Sequence, residues 1–137
     1  EATENVGPVI IWRKELREGS GGAGAQRGGL GQNIEIEAAE GYTFRFSAMF
    51  DRLGHPAKGR DGGEAGATGG VSLSDGTVLK GKGLQFVPQG KRLVLELPGG
   101  GGFGKPQDRH SEAVEHDLKQ GYITAEQANA YAKRDTK

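Results

Sequence analysis

The chain contains no cysteine. Disulfides and thiolate metal sites are therefore excluded, and the redox compartment stays open. It also has no excess charge of one sign: Lys+Arg and Asp+Glu both number 18. A neutral chain gives no electrostatic reason to expect a nucleic acid or an anionic membrane as partner. No apolar run approaches the roughly 18–20 residues that span a bilayer, and no signal-peptide pattern is present. The first residue is Glu1, not Met, so a piece of something longer is expected. At 137 residues the chain has single-domain length and can bury a real core.

What the chain has in quantity is glycine, 26 residues of it. Most fall in three blocks. The first is Ser20-Gly21-Gly22-Ala23-Gly24-Ala25-Gln26-Arg27-Gly28-Gly29-Leu30-Gly31. The second runs from Asp51-Arg52 through Pro56 and Gly59 to Gly62-Gly63 and Gly66. The third is Pro98-Gly99-Gly100-Gly101-Gly102-Phe103-Gly104. Flexible linkers mix glycine with serine and little else. Here Arg, Asp, Pro and Phe stand among the glycines, which points to positive φ and close backbone approach in ordered loops.

Between the blocks the chain reads as strands. Val9-Ile10-Ile11-Trp12 is a β-branched run expected to be a buried strand. Ile34, Ile36 and Ala38 alternate with polar residues, and so do Tyr42, Phe44, Phe46, Ala48 and Phe50. Period two predicts one buried face for each. Ala39-Glu40-Gly41 between them has the length of a hairpin loop. Val71 and Leu73 precede an Asp75-Gly76 turn, with Thr77, Val78 and Leu79 after it. Leu84, Phe86 and Val87 form another strand, and Leu93, Leu95 and Leu97 line one face of the next. The fold class expected is mostly β (α+β): an antiparallel, sandwich-like core with glycine-rich loops and a C-terminal helical hairpin. The division expected is a β domain over 1–104 and the hairpin, packed on it, over 105–137.

In that hairpin, Ser111 is a candidate cap for a helix whose Val114 and Leu118 share a face. Gly121 stands where a C-cap glycine belongs. Thr124-Ala125-Glu126-Gln127 is a capping box for a second helix with Ala128, Tyr131 and Ala132 as its apolar stripe. Gln127, Asn129, Lys133 and Arg134 would suit a DNA-binding hairpin, but Glu112, Glu115, Asp117 and Glu126 oppose it.

Chemistry-bearing patterns are few. G-x-G-x-x-G occurs at Gly19, Gly21, Gly24 and at Gly99, Gly101, Gly104, but chance matches are expected at this glycine content. No helix follows the second match directly, as a dinucleotide site requires. Glu112 and His116 lack a third metal ligand, and a solvated surface pair is the simpler account. Ser20, His55 and Asp51 can be drawn as a triad, but Ser20 is not on a strand-to-helix elbow. The catalytic and metal sets are therefore empty. Arg27, Asp51 and Arg52 remain as ligand or interface candidates. An arginine among glycines can grip a carboxylate or phosphate bidentately; equally, it can tie its own loop through backbone carbonyls. Gly99, Gly100, Gly101, Gly102 and Phe103 are expected to be an ordered structural crossing, anchored by the Phe103 ring packed against the core or a partner subunit.

Taken together, the three blocks resemble the C-terminal part of the N-methylhydantoinase B/5-oxoprolinase family. Ser20 to Gly29 fits its Ser-Gly-Gly-x-Gly-x-x-Arg-Gly-Gly segment. Asp51, Arg52, Pro56, Gly59, Gly62, Gly63 and Gly66 fit the second motif, and Pro98 to Gly104 the third. The tail fits too, through Glu112–Leu118, Gly121-Tyr122-Ile123 and Thr124. His55 and Ala57 flank Pro56 where the family usually has a second proline, and Lys105-Pro106 replaces Asp-Pro. The resemblance implies a cytoplasmic subunit that opens cyclic amides such as hydantoins and 5-oxoproline. It implies an ATP-binding, hydantoinase A-like partner subunit or domain, with ATP and a divalent metal used by the complex but not bound by this segment. It also implies a longer chain whose catalytic residues lie upstream, leaving this segment as a structural and interface module, inactive alone. The alternatives are a domain of a related ATP-dependent ketone carboxylase, a freestanding small-anion-binding β module, or a nucleic-acid-binding hairpin.

Overall fold

The computed structural model describes residues 2–132. A short helix, α1 (Ala2–Val6), leads into six strands: β1 (Val9–Leu16), β2 (Gln32–Ala38), β3 (Phe44–Met49), β4 (Gly70–Leu73), β5 (Lys82–Val87) and β6 (Arg92–Glu96). Two further helices close the chain, α2 (Ser111–Lys119) and α3 (Ala125–Ala128), the latter continued by a 3₁₀ turn over Asn129–Tyr131. No helix among the described residues is long and apolar enough to cross a membrane. Lys133 and Arg134, named for the DNA-binding reading, lie outside the described residues.

The strands form two antiparallel sheets, ordered β1-β2-β6-β4 and β3-β5. The expected mostly-β, sandwich-like core is what forms. Its register stacks the apolar residues in rows. Ile36 lies opposite Leu93, and Leu93 opposite Leu73; Ile34 lies opposite Leu95, and Leu95 opposite Val71. Against these rows the second sheet sets Phe44, Phe46 and the fully buried Val87, with Phe50 and Leu53 completing the cluster. The rings of Phe44, Phe46 and Phe50 run in tilted sequence at 6.4 and 6.3 Å. Alternation places these side chains on one face because strand side chains change sides every residue.

Four expectations need correction. Ala39-Glu40-Gly41 does not close a hairpin: β2 pairs with β1 and β6, and β3 with β5. With both edges of β2 occupied, β3 has no edge to join and the chain crosses to the other sheet. Val9–Trp12 is not a buried strand either. It begins the sheet's edge strand, which a two-stranded sheet does not reach across to cover, and Trp12 is 53% exposed. A register shift between Ile11 and Arg13 accompanies the outward turn. There the indole Nε1 donates to the Glu37 carboxylate at 2.6 Å, and the Arg92 guanidinium stacks 4.4 Å from the ring centre. Tyr42 precedes β3 and is exposed, so it does not share the buried face of Phe44 and Phe46. Ser111 is the first helical residue rather than the cap; His110 holds the cap position without a side-chain bond.

The remaining turn signals behave as their chemistry requires. Gly76 and Gly121 have left-handed φ of 88° and 67°. Across the Asp75-Gly76 turn, Leu73 N donates to Thr77 O at 2.9 Å. Thr124 and Gln127 form the reciprocal capping box, each side chain bonded to the other's backbone at 3.1 Å.

Candidate functional site

The three glycine blocks meet in one layer. Gly99–Gly102 runs through its middle. Gly22 N donates to Gly100 O at 2.9 Å, Gly100 N to Gly29 O at 2.9 Å, and Gly99 N to Ala67 O at 3.2 Å. Gly102 N donates to Glu64 O at 2.9 Å, while Gly102 O accepts from Arg60 N at 2.9 Å. At Gly99, Gly101 and Gly102 the backbones approach too closely for any side chain. A Cβ at Gly99 would lie closer than 3.0 Å to the Ser20 carbonyl, and one at Gly101 equally close to that of Lys58. None of Gly99–Gly102 has positive φ. Close approach, and not backbone handedness, is what requires glycine in this run.

This packing fixes what the layer can do. The amides that a phosphate cradle would offer at Gly99, Gly100, Gly102 and Gly104 all donate to protein carbonyls. The G-x-G-x-x-G match at Gly99 thus has no amide nest to present. Ser20 is 1% exposed; its hydroxyl donates to Arg17 O at 2.6 Å and accepts from Gly31 N at 2.8 Å. That side chain is a strut between two loop ends, with no freedom to act as a nucleophile. Phe103 anchors through its backbone, exchanging two 2.9 Å hydrogen bonds with Gln26, while its ring is 53% exposed. Of the two places expected for the ring, the core of this chain is not the one it takes, which leaves the partner surface.

Arg27 points inward. Its Nε donates to the Asp117 carboxylate at 3.0 Å and its Nη1 to Gly28 O at 2.8 Å, with the Tyr122 ring 5.4 Å away. Arg109 Nη2 donates to the same Asp117 oxygen at 2.7 Å. Asp117 is 3% exposed. The triad ties the first glycine block to α2, and Gln127 Nε2, donating to Gly19 O at 2.7 Å, ties the same block to α3. Sequence reasoning grouped Leu118 with Val114 on one helix face and counted Asp117 only among the acids that oppose DNA; the structure buries Asp117 and leaves Leu118 38% exposed. The available signal was the i, i+3 spacing of Val114 and Asp117, which puts the carboxylate on the apolar side. Arg109 carried no sequence signal.

Asp51 and Arg52 lie on the outside. The Asp51 carboxylate accepts from Lys82 Nζ at 2.6 Å. That hydrogen bond, more than the accompanying charges of Lys82 and Arg52, lowers its pKa. Arg52 has a left-handed φ of 61°, and its carbonyl accepts from Gly69 N at 3.0 Å. Its side chain lines an open groove together with His55, Lys58 and Arg60. The structure therefore gives Arg27 and Arg52 different surroundings, one in a buried ion triad and one on an exposed rim. Among the described residues, no group of three or more His, Asp or Glu is placed to hold a metal ion.

The arrangement has known counterparts. A family model described as hydantoinase B/oxoprolinase matches residues 1–106. The 5-oxoprolinase PfmaA of Pestalotiopsis fici is 34% identical over 116 residues, 78% of this chain and 9% of that protein. The crystal structure of the ATP-dependent caprolactamase from Pseudomonas jessenii superposes with a TM-score of 0.75 at 26% identity, over 93% of this chain and 24% of that one. The nucleotide-free structure of acetone carboxylase shares the fold, with a TM-score of 0.65 at 19% identity over 89% of this chain and 21% of that one. The chain spans about a quarter or less of the length of the proteins it matches. The matched stretch spans all three glycine blocks and well over half of the chain: the chain belongs to the hydantoinase B/oxoprolinase family.

Proposed function

We propose that this chain is a structural and interface module of a longer subunit that opens cyclic amides at the expense of ATP. The observation that supports it most is the match over residues 1–106 to the hydantoinase B/oxoprolinase model, joined to the likeness with a caprolactamase. Caprolactam, 5-oxoproline and hydantoins share one reactive group, an amide inside a ring. The glycine layer suits a scaffold: many of its amides and carbonyls bond to one another, which gives fixed loop positions at the module's surface. On this reading residues 1–104 and 105–137 work as one unit, joined by Arg27, Asp117 and Arg109. The nucleotide, a divalent metal and the catalytic groups come from the rest of the subunit and from an ATP-binding, hydantoinase A-like partner, in the cytoplasm. Among the described residues no metal cluster stands, and the amides of Gly99, Gly100 and Gly102 are already engaged, so no step is assigned to this chain. The ketone-carboxylase alternative rests on a likeness that extends to the fold alone.

The test compares the chain by itself with the full-length subunit assembled with its ATP-binding partner. Each is given 5-oxoproline, hydantoin or caprolactam with ATP, and ADP and ring-opened product are measured. The assembly is expected to couple the two products, and the chain alone to form neither. ATP-coupled ring opening by the chain alone would overturn the scaffold role. An assembly that carboxylates a ketone and opens none of the three rings would overturn the substrate class.

A further inference from the structure

Between Arg52 and Arg60 the chain folds into an open groove of about 580 Å³. That is the size range of small-molecule sites. Arg52, His55, Lys58 and Arg60 line it, with Pro56 and Gly59 between them, and no carboxylate does. Among the described residues, none of these four side chains makes an ion pair or a side-chain hydrogen bond within the protein. No neighbouring carboxylate among the described residues bonds to any of them, although the Arg52 charge acts on Asp51 through space. Asp51 is held by Lys82 at 2.6 Å, and Asp61, with its left-handed φ of 51°, stands outside the groove.

The cationic residues are fixed from below. Arg52 O accepts from Gly69 N at 3.0 Å, Ala57 O from Gly66 N at 2.9 Å, and Arg60 O from Gly104 N at 3.0 Å. Arg60 N donates to Gly102 O at 2.9 Å, and the Lys58 carbonyl seats directly over Gly101. The interior layer thus fixes the backbone that carries three permanent cations around one concavity. Like charges held together repel, and a bound anion reverses that repulsion. Two guanidinium forks and an ammonium also match the geometry of a phosphate or carboxylate.

We propose that this groove binds a small-molecule oxyanion, a phosphate- or carboxylate-bearing compound, through Arg52, Lys58 and Arg60. The site stands on the loop alone and does not depend on the cyclic-amide reading.

The experiment is an amide-resolved NMR titration of the chain at constant ionic strength, with inorganic phosphate in one arm and succinate in the other, balanced by sodium chloride. Saturable shifts are expected at the amides of Arg52, Lys58, Gly59 and Arg60. Saturation by phosphate alone assigns the phosphate class, and saturation by succinate alone the carboxylate class. Arg60→Ala and Lys58→Ala should each weaken the saturating anion about tenfold or more, the loss of one charge-assisted hydrogen bond. Arg45→Ala, on the exposed outer face of β3, should leave it unchanged. Both groove variants remove exposed side chains without protein partners, so a retained thermal transition shows that the fold is intact. Linear, non-saturating shifts with both anions would overturn the proposal. So would equal affinity in the parent chain and both groove variants.

Discussion

Gly101→Ala offers the sharpest test of the glycine layer, because Gly100→Ala is its built-in control. A Cβ at position 101 would fall closer than 3.0 Å to the Lys58 carbonyl carbon and oxygen, which are backbone atoms and cannot swing away. A Cβ at position 100 meets Gly29 N at 3.2 Å, a contact that a few tenths of an ångström relieves. Forcing extra volume into a packed interior costs about 1–3 kcal/mol. Parting the layer by the required distance also strains the bonds from Gly100 N to Gly29 O and from Gly102 N to Glu64 O. Each buried group left without its partner adds about 1–3 kcal/mol. Opposing this, alanine restricts the unfolded chain and returns only about 0.4–1 kcal/mol. With one of the two bonds lost, the balance is a loss of about 1–6 kcal/mol for Gly101→Ala, set against the ~5–15 kcal/mol that stabilises a typical domain. Gly100→Ala should change stability by less than ~1 kcal/mol. Urea denaturation followed by far-UV circular dichroism measures both. A Gly101→Ala loss below ~1 kcal/mol, or one equal to that of Gly100→Ala, would show that the run is a loose tether and refute the reasoning.

Three further outcomes are expected. Leu93→Ala, at 3% exposure in the centre of the sheet, should cost about 2–5 kcal/mol, whereas Leu84→Ala at 69% exposure should stay within ~0.5 kcal/mol; comparable losses would mean the sandwich faces are misassigned. Asp117→Ala removes the shared partner of Arg27 and Arg109 and should cost about 3–5 kcal/mol in the same denaturation assay; a loss under ~1 kcal/mol would mean the triad is not formed in solution. The exposed Asp75 carboxyl is lowered to about 2, first by the Thr77 N–H, then by the Thr77 hydroxyl and Lys91. Because the folded value is depressed, the turn's contribution is full above the unfolded pKa of about 3.9 and is lost as pH falls through the folded value. A carboxyl NMR titration with its midpoint near 3.9 would contradict the Asp75–Thr77 bond.

Local chemistry was readable wherever a short segment settles its own conformation. The capping box at Thr124 and Gln127 needs only residues three apart, and the turn at Asp75-Gly76 needs only a glycine that accepts positive φ. Alternation correctly grouped Phe44, Phe46 and Ala48 on one face, and Leu93 with Leu95 on another. It could not say which strands pair. Period two reports that one face is buried and is silent on the partner. That is why a three-residue gap after Ala38 suggested a hairpin where the chain changes sheets, and why Val9–Trp12 suggested a buried strand where an edge strand stands. Phe103 shows the same limit for a single residue, since its backbone is held by Gln26 while its ring stays exposed in this chain.

The sequence by itself determined where most strands lie, the turn at Asp75-Gly76, the absence of thiol chemistry and the order of three glycine blocks whose spacing marks the family. The tertiary structure alone decided that the blocks form one interdigitated layer. It also separated two arginines in similar glycine-rich surroundings, Arg27 into a buried triad with Asp117 and Arg109, and Arg52 onto a groove with Lys58 and Arg60. The physical reason is that a glycine's close approach and an arginine's counter-charge are both supplied by residues far along the chain. Gly101 is held by the Lys58 carbonyl and Arg27 by Asp117, and no local pattern encodes a partner whose position is fixed only when the chain has folded.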